Sequence, residues 1–268
     1  MLMKQARALY RKVGQRIAQR DLSRCQDEAS IPHEKIGTGY GGWFVPIRLL
    51  SHLSLCYAVG AGEDISFEIE LIERCGSKVF CFDPTPRAQR HVELLRTNSH
   101  NDLPTLINNK AEVYYKFGPQ CLDRLHFHPF GMWSQDKIMR FYSPENPTHV
   151  SHSIVNLQRT QGYFEADCRT IKTLMHGFGH ADLSLLKLDV EGAEYEILSS
   201  MLDNNIHPAI VCVEFDEGYQ PIDDGYMTRI LNQVRHMKTQ GYLLTHIDGW
   251  NVTFVHTRVL SKAQEPKI

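Results

Sequence analysis

Four points in the chain put acid or glycine directly after an apolar run. Gly60-Ala61-Gly62-Glu63-Asp64 follows Leu55 to Val59, and Asp83 follows Lys78 to Phe82. Asp189-Val190-Glu191-Gly192 follows Leu183 to Leu188, and Glu214-Phe215-Asp216-Glu217 closes the run from Ala209 to Phe215. If those runs are strands of an open α/β sheet, these residues stand at the carboxyl ends, where such sheets bind ligands. Glycines there let a ligand approach the backbone, and the helix start that follows offers a positive dipole end. Asp83 lies 21 positions beyond Gly62, the separation at which an acid after the second strand reaches a ribose diol. A tight turn with Asp83 capping the next helix is the plainer alternative. A full dinucleotide fingerprint is not met, because Ile65 stands where the third glycine belongs. Glu63 and Asp64 would repel a pyrophosphate, which favours a cofactor with a positive centre and no phosphate, as in S-adenosyl-L-methionine.

If such a cofactor passes its methyl group to a hydroxyl, the chain must position the acceptor, take its proton and disperse the sulfonium charge. Asp189 and Glu214, on successive strand ends, are candidate bases, or together could hold a divalent cation that orients the acceptor. His152, in His149-Val-Ser-His152, is a third candidate base, with a solvated loop histidine as the alternative. Glu191 and Glu194 fall in the first turn of the next helix, where carboxylates suit the dipole whatever the function. His126 and His128 alternate and face one side of a strand; no third metal ligand is spaced to join them.

The elements that must position these groups alternate. Leu55–Val59, a helix from Ile65 to Cys75 and Lys78–Phe82 form a βαβ unit. Arg87 to Arg96 reads as a helix, Arg124 to Phe130 and Ile138 to Tyr142 as strands. Ser143 to Gly162 is a long polar connection of a kind that often covers a site. In the second half, Leu183–Leu188, Ala193–Leu202, Ala209–Phe215 and Tyr226–Gln240 alternate strand and helix. Tyr242–Ile247 and Val252–Val259 end the chain as a hairpin across Asp248 to Asn251. The expected fold is a Rossmann-like α/β sheet, mostly parallel with one antiparallel strand from the C-terminal hairpin. Ile36 to Trp43, with four glycines, is a loop able to approach a ligand. Residues 1–30 form an extension in which Leu2, Ala6, Leu9, Tyr10, Val13 and Ile17 recur at helical spacing among basic residues. It could touch an anionic membrane surface, or lie against the main domain at 31–268 or a second copy in a homo-oligomer.

A net charge of −2 over 268 residues gives no large basic field, so nucleic acid is not the expected partner. No apolar run approaches membrane-spanning length, and the N-terminus lacks a secretory core, so a cytoplasmic protein is expected. Seven cysteines without a C-x-x-C pair fit neither a disulfide framework nor a zinc clasp.

The stretch Leu185-Leu-Lys-Leu-Asp-Val-Glu-Gly-Ala-Glu194 resembles the signature of the FkbM-type methyltransferases, K-x-D-x-E-G-A-E at the end of the fourth strand of a class I methyltransferase sheet. Tyr57 to Phe67 is similar to the family's glycine-rich first motif, Val79 to Pro86 to its acidic second-strand motif, and Arg169-Thr-Ile171 to the segment entering the strand before the signature. The likeness spans about Tyr40 to Val255. It departs from the pattern at Asp64, where many relatives have glycine, and at Lys172, where an acid is common. The resemblance implies S-adenosyl-L-methionine as cofactor, with Gly60, Ala61, Gly62 and Ser66 at its methionyl part, Asp83 and Pro84 at the ribose, and Gly131 and Met132 at the adenine. Gly42 and Trp43 would close over it, and Asp189 would lie beside the methyl. The acceptor it implies is a hydroxyl on a small molecule or glycan. The rival readings are a catalytically silent methyltransferase-like module, which should lack the strand-end acids, and a nicotinamide-dependent oxidoreductase.

Overall fold

The computed structural model describes residues 14–28, 31–97, 103–107, 110–118, 120–146, 148–149 and 151–262. Two short strands, β1 (His33–Ile36) and β2 (Trp43–Pro46), form a hairpin around the glycine-rich loop. The βαβ unit follows as β3 (Leu55–Val59), α1 (Ser66–Cys75) and β4 (Lys78–Phe82). Next come α2 (Pro86–Thr97), the hairpin β5 (Pro104–Ile107) and β6 (Lys110–Tyr114), then β7 (Leu125–His128), β8 (Gly131–Met132), β9 (Lys137–Tyr142) and β10 (Tyr163–Arg169). The second half runs α3 (Ile171–Phe178), β11 (Leu185–Leu188), α4 (Glu194–Asp203), β12 (Ile210–Glu214), α5 (Tyr226–Thr239), β13 (Tyr242–Asp248), β14 (Asn251–His256) and α6 (Thr257–Lys262).

Seven strands make the central sheet in the order β13-β14-β12-β11-β3-β4-β7. All its pairings are parallel except those of β14, which runs antiparallel to both neighbours. This is the expected Rossmann-like sheet. Its central strands are apolar because both faces are covered. Along β3 and β11 alternate residues enter opposite layers: Tyr57, Val59, Leu186 and Leu188 pack on one side, Cys56, Ala58 and Leu185 on the other. Strand order reverses between β3 and β11, so the crevice opens where the two carboxyl ends meet.

Several local boundaries differ from the sequence expectation. Arg169-Thr-Ile171 does not enter a strand: it ends β10, and Thr170 caps α3 by accepting a hydrogen bond from the Thr173 amide at 3.0 Å. The last strand stops at His256 and the chain turns helical, ending the expected run to Val259 early. The strand expected from Arg124 to Phe130 breaks after His128, and Gly131–Met132 joins β10 in a separate three-stranded sheet.

The N-terminal extension is helical at 14–23; its expected apolar positions from Leu2 to Val13 lie outside the described residues. Ile17, assigned to the apolar face, is 57% exposed, whereas Ala18 and Leu22 enter the core beside Leu244. Gln15 donates to the Gly218 carbonyl, and Asp27 accepts from the Leu244 amide while pairing with Lys238. The helix thus lies against the main domain.

Candidate active site

A cavity of about 280 Å³ sits at the crevice, at the small end of ligand sites. Its floor is the turn after β3. Gly60 has φ +84°, and a β-carbon there would lie 1.8 Å from the Asp189 carbonyl oxygen, so only glycine lets β3 and β11 end this close together. Lateral hydrogen bonds hold the ends in line: Asp189 N–H to Val59 O, Gly60 N–H to Phe82 O, and Asp83 N–H to His128 O.

Asp83 is buried and clamps the turn. One carboxylate oxygen accepts from the amides of Ala61 and Gly62 at 2.9 Å each, and the other accepts from the Thr85 amide at 2.8 Å. It does not cap α2; that task falls to Thr85, whose hydroxyl accepts from the Ala88 amide ahead of Pro86 in the first helical turn. Asp64, the departure from the family pattern, has a structural task. It accepts from the Ser66 amide at the start of α1 and from the Thr38 hydroxyl at 2.5 Å, tying the glycine-rich loop to the turn. Glu63 pairs with Arg87. The acids that looked repulsive to a pyrophosphate are therefore already matched inside the protein.

Lys187, in the middle of β11 and 3% exposed, donates to the Gly60 carbonyl and lies 3.7 Å from Glu68 and 3.6 Å from Asp189. Burial works against its charge, yet Glu68 and then Asp189 hold the ammonium proton above the ordinary lysine value. Burial raises Glu68 to about 7 despite Lys187. Sequence reasoning quoted Lys187 in the signature without a role; a lysine inside an otherwise apolar strand was the available signal.

The ends of β11 and β12 bring more carboxyls together. Burial, and then Asp189, which is hydrogen-bonded to it, push Glu214 well above the carboxylate range. Burial and Asp189 raise Glu191 to about 7, and its backbone has φ +52°. Burial, then Glu191 and Glu214, raise Asp216 well above the usual value. Sequence reasoning gave Asp216 no role and assigned Glu191 to a helix turn; Glu191 instead precedes α4 and faces the cavity.

Of the residues singled out from sequence, Trp43, Gly60, Ala61, Gly62, Asp83, Pro84, Gly131, Met132, Asp189, Glu214 and His152 all line this one cavity. Gly42 and Ser66 do not; they stand behind its wall. A β-carbon on Gly42 would meet the Thr38 carbonyl at 2.3 Å, and the Ser66 hydroxyl accepts from the Thr38 amide. The Ser143 to Gly162 connection supplies His149, Ser151, His152, Ile154 and Gln158 to the cavity wall. His126 and His128 lie elsewhere, stacked on Phe80 at 4.5 and 5.8 Å. Among the described residues no group of three or more His, Cys, Asp or Glu is arranged to hold a metal ion, and no helix is long and apolar enough to cross a membrane.

The arrangement offers three features to a bound cofactor. The glycine turn offers close backbone approach, the clamped Asp83 has lone pairs left for hydroxyl donors, and buried Met132 offers an apolar wall. No curated protein matches the chain. Among solved structures, a chain of a fibrillarin/Nop5p complex is similar at a TM-score of 0.39 and 9% identity, over 87% of this chain and 91% of that one, a likeness too distant to argue from. The methyltransferase FkbM domain matches residues 58–244, most of the chain, including β4, β11 and β12. The protein belongs to the FkbM methyltransferase family.

Proposed function

We propose that the protein is an S-adenosyl-L-methionine-dependent O-methyltransferase acting on a hydroxyl of a small molecule or glycan. The observation that carries this reading is the convergence on one cavity of the Gly60 turn, clamped by Asp83, and the strand-end carboxyls Asp189 and Glu214. S-adenosyl-L-methionine would supply the electrophilic methyl group. Gly60, Ala61 and Gly62 would face its methionyl part, Asp83 and Pro84 its ribose, and Gly131 and Met132 its adenine. The chain's own work is to hold the acceptor in line, exclude water and receive a proton. Asp189 and Glu214 line the same cavity at the ends of adjacent strands. The acceptor hydroxyl gives its proton to this pair, and Lys187 stabilises the Asp189 charge from 3.6 Å. His152, on the connection that covers the cavity, is the other candidate for the proton.

Titration calorimetry with S-adenosylhomocysteine tests the reading. Micromolar binding is expected, weakened roughly ten-fold or more in Asp83→Ala through the loss of charge-assisted hydrogen bonds. No binding to the folded wild-type protein, or unchanged affinity in that variant, would remove the cofactor placement. Once an acceptor is in hand, Asp189→Asn and Glu214→Gln should keep cofactor affinity and lower turnover.

A further inference from the structure

The carboxyls at the two ends of the crevice differ in one respect. Glu63 has Arg87, Asp83 has three backbone amides, and Asp189 has Lys187. No lysine or arginine among the described residues forms an ion pair with Glu191, Glu214 or Asp216. Asp216 is 5% exposed and lines the cavity, yet its Oδ2 has no hydrogen-bond partner. Asn251, at the start of β14, lines the same cavity with its buried Oδ1 equally unpartnered. Each is a buried polar atom without a partner, and such atoms are rare in folded proteins. What the site lacks is a positively charged, donor-rich group.

Resting on the methyltransferase reading above, we propose that the acceptor carries a protonated amine beside its hydroxyls, as an amino sugar does. Its ammonium seats on Glu191, Glu214 and Asp216. An ammonium brings three donors and one positive charge, enough to engage Asp216 Oδ2 and a second carboxyl at once. Tyr40 and Tyr219 stand at the rim, 58% and 45% exposed, where their ring faces suit a cation. Burial and Asp189 raise Glu191 to about 7, so it is partly protonated at pH 7; the ammonium charge opposes that rise, and binding releases protons to the buffer.

The test is calorimetry on protein saturated with S-adenosylhomocysteine, using glucosamine and glucose as matched probes at pH 7 in two buffers of different ionisation enthalpy. Glucosamine should bind roughly ten-fold tighter than glucose or better, the value of one charge-assisted hydrogen bond, and its heat should depend on the buffer because protons are released. Asp216→Asn and, separately, Glu191→Gln should shrink the preference. The buffer dependence is read on the wild-type protein and needs neither variant to fold. Equal affinity for the two sugars, no binding of either at millimolar concentration, or no proton release overturns the proposal. So does release of those protons by S-adenosylhomocysteine itself, since the cluster would then serve the cofactor's own amino group. If S-adenosylhomocysteine does not bind while glucosamine retains its preference, the cation site stands and the cofactor reading falls.

Discussion

The β3–β4 and β11–β12 sides of the crevice are lined by the same kind of residue in opposite states. At β3 and β4 each acid is matched: Asp83 by turn amides, Asp64 by Thr38 and Ser66, Glu63 by Arg87. At β11 and β12 Asp189 pairs with Lys187 and Glu217 with Arg229, while Glu191, Glu214 and Asp216 form no ion pair among the described residues and crowd one another under burial that raises all three. A carboxylate with its donors in place is a finished structural part, fixing a turn before any ligand arrives. Carboxyls pressed together without a cation bind protons more tightly than free ones, and ligand charge can relax that hold. The difference between scaffold and reactive wall lies in the partners, not in the residue type.

The most severe way to break this division is at the point where the two sides touch. Gly60→Ala would drive a β-carbon into the Asp189 carbonyl at a left-handed φ. It should destabilise the fold by about 4 kcal/mol or more, the range of a backbone clash at a strained position, read from the denaturant midpoint. Lys187→Met comes next. It removes the cation between the sides and leaves Glu68 and Asp189 facing each other without it. A loss of roughly 3 to 5 kcal/mol is expected, part of which should return when Glu68→Gln is added.

A pH series sharpens the contrast without mutation. Burial raises Glu191 to about 7 and Glu194 to about 8, from 4.5 for each. Both hold protons more firmly folded than unfolded, so their contribution is complete below pH 4.5 and is lost as pH rises through 7 and 8. His33 works the other way: burial lowers it from 6.5 to about 4, and its contribution is already complete above 6.5. Between about pH 6.5 and 8.5 the ligand-free protein should therefore lose Tm as pH rises. Glu194→Gln should flatten that slope; a rising Tm over this window would contradict the crowded-acid picture. The smallest expected effect is Arg87→Ala, which strips Glu63 of its cation on the satisfied side. About 1 to 2 kcal/mol of stability should go, less than for a fully buried pair because Arg87 keeps access to water.

Much of this was legible before folding because it is local. Continuous apolar runs bounded by glycine and acid identify β3, β4, β11 and β12, and their last residues are necessarily close to any crevice the sheet forms. The roles of Asp64 and Lys187 were not legible. Asp64 looked like a lost glycine because Thr38, its partner, is 26 positions away; Lys187 looked like an oddity because Glu68 lies on α1, 119 positions earlier in the chain. The hairpins β1–β2 and β5–β6 escaped notice for a similar reason. Each strand is only four or five residues long, too short for alternation to stand out.

The order of residue types along the chain determined the family, the alternation of strands and helices, and which side chains stand at strand ends, because apolar periodicity and turn chemistry act over a few residues. Only the tertiary structure decided which acids find partners. That outcome depends on burial and on contacts between segments far apart in the chain, and a carboxyl's proton affinity follows its surroundings rather than its neighbours in sequence. Asp83 became a clamp and Asp216 an open acceptor by position alone.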